Sequence, residues 1–130
     1  MSDTGRVKLD WSGDALAKGL ACYSTAQFFE AHEHWEIVWL TLQEPEKSFL
    51  QSLVQVSAAF HHFENGNITG TVSLLRRALK RLSQCPAVFG EVEVAPLCAE
   101  INDWLEALQR TPAARPAAYP QIRLVNARLT

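Results

Sequence analysis

The sequence predicts an all-α protein, a compact bundle of about five antiparallel helices. Three observations support this fold class. Apolar residues recur at spacings of three and four in several segments, as they do along one face of an α-helix. No alternating apolar and polar pattern of useful length indicates a strand. The connections between the segments are short, which places successive helices antiparallel.

The first helix is predicted to follow a polar arm, residues 1–11, which ends in Trp11. Ser12 is a suitable N-terminal cap, and the helix continues to Tyr23. Gly19 lowers the helix propensity near its centre.

The second helix is predicted to begin near Ser24 or Thr25, either of which offers a capping hydroxyl, and to run to about residue 42. Apolar side chains occupy most of its circumference. A helix of this kind is typical of the centre of a bundle rather than its edge, so we expect it there.

The third helix is predicted from about residue 46 to residue 64, with Pro45 in its first turn. Gly66 suits a left-handed helix end and Asn67 suits the cap of a fourth helix, which runs from about residue 68 to residue 83. The first two helices, and the segment that follows Gly66, resemble tetratricopeptide hairpins. Because the period is not kept, we expect a bundle of similar hairpins and not a repeat array.

Residues 85–95 are predicted to form a connection, and a fifth helix is expected from Pro96 to about residue 109. Three prolines in the tail, residues 111–130, exclude a long helix there. Apolar residues such as Tyr119 still allow the tail to pack on the bundle. The chain of 130 residues, 48% hydrophobic, therefore suits a single helical domain over residues 1–130.

Composition excludes several classes of protein. The formal net charge is −2, so no broad basic field is present to hold nucleic acid, and no polybasic run is present to hold an acidic membrane. The basic residues at 76, 77, 80 and 81 are local and complement the dipole of one helix. Three cysteines without a C-x-x-C motif indicate neither a disulfide framework nor a zinc knuckle. No signal-peptide or membrane-span pattern is found, so we expect a cytoplasmic protein.

Polar side chains share one face of the second helix. His32 and Glu36 are four residues apart, Phe29 and Trp39 are their neighbours on that face, and Glu33 lies at its edge. This arrangement makes the second helix the first place to look for a functional site.

The third helix carries a matching polar face. Gln55 and His62 are seven residues apart and lie on one side of this helix. In an antiparallel hairpin, side chains lean toward the N-terminus of each helix, so we expect the tips of His32 and His62 to converge. Glu30 and His34 are expected to face elsewhere.

Three interpretations of this cluster stay open. His32, Glu36 and His62 would supply two nitrogens and one carboxylate, a ligand set that suits zinc or iron with an open position. Glu33 would then be the candidate base of a metal-dependent hydrolase. Alternatively, the side chains partner one another inside the bundle and serve only the fold, or they line a pocket for an organic ligand. No nucleophile paired with a base stands out.

The segments F-F-E-A-H-E-H-W-E-I-V-W and F-L-Q-S-L-V-Q-V-S-A-A-F-H-H-F-E-N-G-N resemble a bacterial family known as domain of unknown function 309. The family pattern falls on Phe29, Glu30, His32, Glu33, Glu36, Trp39, Gln55, His62, Gly66 and Asn67, within residues 14–83. The resemblance implies a multi-helical fold without an established activity. It also supports one cluster of His32, Glu36, Gln55 and His62. The wider candidate polar or ligand-binding site consists of Glu30, His32, Glu33, Glu36, Trp39, Gln55 and His62.

Two functions are compatible with these patterns. The first is a non-catalytic module that binds a protein partner or forms a homodimer, and we expect an exposed Trp11 arm and an apolar tail to serve it. The second is the metal-dependent hydrolase described above.

Overall fold

The computed structural model describes residues 9–125 and confirms the all-helical fold class. It contains helices α1 (Asp14–Ser24), α2 (Phe28–Trp39), α3 (Glu46–Glu64), α4 (Ile68–Leu82) and α5 (Val94–Arg110), strands β1 (Val88–Phe89) and β2 (Val92–Glu93), and a 3-10 helix at Pro112–Ala114. None of the helices within residues 9–125 combines the length and the apolar character that crossing a bilayer requires.

Helix α3 forms the centre of the bundle. It buries eight of its residues and packs against both α2 and α4. The start of α2 lies against the end of α3, because the rings of Phe29 and His61 are 5.4 Å apart. The end of α2 lies against the start of α3, where Lys47 Nζ is 4.4 Å from the centre of the Trp39 ring. The two helices are therefore antiparallel.

The second helix packs between α1 and α3, as a central helix should, but it is not covered on all the sides that its apolar pattern predicted. Helix α2 buries Phe28, Ala31 and Trp35 against its neighbours. Its opposite side leaves large apolar side chains in solvent, with Ile37 63% and Leu40 69% exposed. A helix that is apolar around most of its circumference does not by itself show which side is covered. In α2, only the side that carries Phe28, Ala31 and Trp35 is buried.

The junctions between helices agree with the sequence at one place and differ at another. Between α3 and α4, Gly66 has φ 81° and the Asn67 side chain accepts a hydrogen bond from Gly70 N at 2.9 Å, as predicted. Between α1 and α2, the predicted hydroxyl cap is wrong. The Thr25 hydroxyl instead donates to the Ala21 carbonyl at 3.0 Å, which completes the end of α1, and α2 begins only at Phe28.

Trp11 belongs to the core and not to an exposed arm. Its side chain is 8% exposed, and its indole donates a hydrogen bond to the Gly90 carbonyl at 2.8 Å. Its ring also meets the Trp35 ring edge to face at 6.4 Å. The expectation of an exposed Trp11 is therefore wrong, because a partner 79 positions away covers it. Residues 1–8 of the predicted arm lie outside the described residues.

The predicted connection over residues 85–95 contains a short hairpin. Strand β1 pairs with β2 in antiparallel fashion, and the turn between them places Gly90 and Glu91 at positive φ. Helix α5 then begins at Val94, two residues before the predicted Pro96.

The tail packs on the bundle as far as residue 125. Tyr23 donates a hydrogen bond to the Pro120 carbonyl at 2.6 Å, and the Trp104 indole donates to the Ala118 carbonyl at 3.0 Å. Tyr119 stacks on Trp104 with ring centres 5.3 Å apart. Burial raises the pKa of Tyr23, and burial together with the Glu64 carboxylate raises the pKa of Tyr119 to about 12. Residues 126–130 of the predicted tail lie outside the described residues.

Candidate functional site

A cavity of about 210 Å³ lies between the start of α2 and the end of α3. It is lined by Phe29, His32, Ala58, His61 and His62. The antiparallel hairpin brings these residues together because the residues that follow the start of α2 face those that precede the end of α3. The structure thus places His32 and His62 on the wall of one cavity.

Among the residues that line this cavity, His32 contacts a carboxylate directly. Its Nε2 lies 3.4 Å from Glu36 Oε2, one helical turn further along α2. The Phe29 ring stacks on the other side of the imidazole, with the ring centres 6.1 Å apart and the planes at 27°. The carboxylate and the aromatic ring together hold the orientation of the imidazole.

The two consecutive histidines of α3 both face the cavity. His62 Nδ1 lies 3.3 Å from the Asn67 amide nitrogen, which ties it to the cap of α4. The His61 ring lies 6.0 Å from the His62 ring and 5.4 Å from the Phe29 ring. His61 was not among the predicted site residues. The available signal was its three-residue spacing from Ala58, which faces α2.

Other predicted cluster residues lie near the α2–α3 interface without bonding to one another. Trp39 Nε1, Gln55 Oε1 and His32 Nδ1 are buried and have no hydrogen-bond partner within residues 9–125. Glu30 and Glu33 are exposed on α2. The structure therefore brings His32 together with Glu36, and His32 with His62 across the cavity, but it does not form one connected network of polar side chains.

The three-ligand metal site stays a prediction that direct measurement can decide. Within the described part of the chain, residues 9–125, no group of three or more His, Cys, Asp or Glu side chains is arranged to hold a metal ion. If the hypothesis holds, untagged protein carries about one equivalent of zinc, iron or manganese when its metal content is measured by mass spectrometry. Stoichiometric metal that is lost in His62→Ala but retained in His34→Ala would support the hydrolase hypothesis, and metal-free protein would contradict it.

The exposed side of α2 forms a second feature of this region. We define the α2 outer face as Phe29, Glu33, Glu36, Ile37 and Leu40. Eleven residues, close to three helical turns, separate its two ends, so these lie on the same side of the helix about 17 Å apart. Phe29 is 47% exposed and also lines the cavity, which links the cavity to this face.

The comparisons with known proteins agree with the resemblance noted in the sequence. The family model described as "Domain of unknown function (DUF309)" matches residues 16–74, which include most of α1, all of α2 and α3, and the first half of α4. An uncharacterized protein of Aquifex aeolicus (strain VF5) is 27% identical over 93 residues, which cover 71% of this chain. The chain spans only 28% of the length of that relative.

Proposed function

We propose that this chain is a non-catalytic protein-binding module that uses the α2 outer face as its contact surface. The proposal rests on the exposed surface, because the family that matches residues 16–74 has no known function. The observation that carries the proposal is the exposure of three large apolar side chains, 47% for Phe29, 63% for Ile37 and 69% for Leu40, on one helix.

Exposure of this kind is informative because the three side chains lie on one side of the helix, and Ile37 and Leu40 are neighbours one turn apart. Single apolar residues scattered over a surface are normal, whereas a contiguous apolar patch with a polar rim marks an interaction site. Full burial of a side chain of this size stabilises a complex by roughly 1.5–3 kcal/mol before the costs of association are subtracted. Three such side chains on one face therefore contribute part of the free energy that a specific contact requires.

The charges on the same helix indicate the chemistry of the partner. Glu33 and Glu36 lie among the apolar residues of the α2 outer face, and Glu30 is exposed beside them. A partner that covers the apolar side chains must also meet these carboxylates. We therefore infer a partner protein with an apolar groove that carries arginine or lysine at its rim.

Site-specific photo-crosslinking in living cells tests the proposal. A benzophenone amino acid at position 40 of the full chain is expected to give a discrete protein adduct, because Leu40 lies within the contact. The same amino acid at position 88 is the matched control, since Val88 is 47% exposed but lies on the β1–β2 hairpin away from α2. We expect Glu33→Lys, or Ile37→Lys, to reduce the adduct from position 40 at least about tenfold, or about 1.4 kcal/mol.

The fold of each variant is monitored by circular dichroism, which these exposed substitutions should leave unchanged. Equal yields from positions 40 and 88 would overturn the proposal. So would an adduct from position 40 that neither substitution reduces.

A further inference from the structure

An open depression of about 610 Å³ lies along α4, with a single residue of α5 at its edge. Ile68 and Val72 provide apolar surface, Arg76 and Arg77 stand on the next turn, and Gln109 of α5 closes the other side. We name this set of residues the α4 groove. Its apolar surface beside two guanidinium groups is the chemistry inferred above for the partner of α2.

From this complementarity, and resting on the proposed function, we propose that a second copy of this chain is the partner of the α2 outer face. The α2 outer face of one copy docks in the α4 groove of the next. Each copy then offers both halves of the contact, and the assembly runs head to tail.

The charges favour this arrangement over other pairings of two copies. Arg76 and Arg77 are exposed and form no ion pair with any residue in the described range 9–125. They are thus free to meet Glu33 and Glu36 of another copy. A symmetric contact between two α2 outer faces would instead oppose carboxylates to carboxylates, which disfavours that complex.

The two surfaces can also overlap along much of their length. Residues 68, 72 and 76 follow one another at four-residue intervals, so they line the α4 groove over a length of about 12 Å. The α2 outer face is about 17 Å long and carries apolar side chains at both ends. Two helices of this kind can pack against each other along most of that length.

A contact between two different surfaces has a defined consequence for assembly. It joins copies into a closed ring when the rotation between them closes, and into an open chain when it does not. Because part of the contact is electrostatic and near the surface, added salt is expected to weaken it.

Sedimentation of the full-length protein, from micromolar to millimolar concentration and at low and high salt, tests the proposal. We expect the average mass to rise beyond that of a dimer with concentration, and to fall when salt is added. A face variant, Ile37→Glu with Leu40→Glu, and a groove variant, Arg76→Glu with Arg77→Glu, are each expected to stay monomeric. Val88→Glu, the control on the hairpin, is expected to assemble like the natural sequence.

Mixing the two monomeric variants gives the decisive measurement. The intact α2 outer face of the groove variant should dock in the intact α4 groove of the face variant, and the resulting one-to-one dimer cannot grow further. A groove variant that dimerises alone would overturn the proposal in favour of symmetric α2 pairing. A mixture that stays monomeric, or a natural chain that stays monomeric at millimolar concentration, would also overturn it. In those cases a crosslinked adduct from position 40 to another protein would still support the proposed function.

Discussion

Trp35→Ala is expected to lower the free energy of unfolding by about 3–5 kcal/mol, a large part of the roughly 5–15 kcal/mol of a typical domain. The Trp35 side chain is fully buried between α1 and α2. Its ring stacks on Tyr23 at 6.2 Å, and its indole donates a hydrogen bond to the Leu16 carbonyl at 3.2 Å. Truncation removes these contacts and leaves an apolar void that the neighbouring helices fill only in part.

Denaturant unfolding followed by circular dichroism measures this loss. Trp39→Ala is the matched control, because Trp39 lies on the same helix but is only partly buried. We expect Trp39→Ala to cost clearly less. If the two variants lose the same stability, burial between α1 and α2 is not the reason for the effect.

Gly19→Ala is expected to destabilise the protein by about 1–3 kcal/mol, which is opposite in sign to the usual effect. In the middle of a helix, alanine is normally more favourable than glycine by about 1 kcal/mol. Here a Cβ atom on residue 19 would overlap the Nε1 and Cδ1 atoms of the Trp35 ring. Either the indole or helix α1 must move, and the hydrogen bond from Trp35 to Leu16 is strained as a result.

A double-mutant cycle separates this steric effect from helix propensity. In the Trp35→Ala background the obstructing ring is absent, so Gly19→Ala is expected to be neutral or to stabilise by up to about 1 kcal/mol. The same loss in both backgrounds would show that the indole is not what excludes a side chain at position 19.

The sequence predicted those elements of the fold whose signals are local. The bounds of α3 and α4 follow from Pro45 at one end and from Gly66 and Asn67 at the junction, and these residues act within a few positions of themselves. The start of α2 was not predictable in this way. A hydroxyl such as that of Thr25 can cap the helix that follows or complete the helix that precedes, and tertiary packing decides between them.

The elements that the sequence did not predict depend on distant partners. Each strand of the β1–β2 hairpin is only two residues long, too short for an alternating pattern to be recognised. The positions of Trp11 and Tyr23 are set by the carbonyls of Gly90 and Pro120, 79 and 97 residues away along the chain. No local pattern specifies such pairs.

The candidate site likewise has features that the sequence predicted and features that it did not. The contact between His32 and Glu36 follows from their spacing on one helix, and it was predictable. The place of His61 in the cavity, and the exposure of Ile37 and Leu40, depend on where α2 sits on α3. Apolar residues around most of a helix indicate that its surface favours burial. They do not indicate whether residues of the same chain cover that surface.

The tail, the hairpin and α5 together cover aromatic side chains of the segment that the family model matches. Residues 16–74 supply the rings of Phe28, Phe49 and Phe60, but the covering rings are Tyr119, Phe89 and Trp104, at centre-to-centre distances of 4.8, 4.9 and 4.9 Å. The segment that the family model matches is therefore smaller than the unit of packing. Without the residues that follow position 74, these three rings would lose the aromatic partners that cover them.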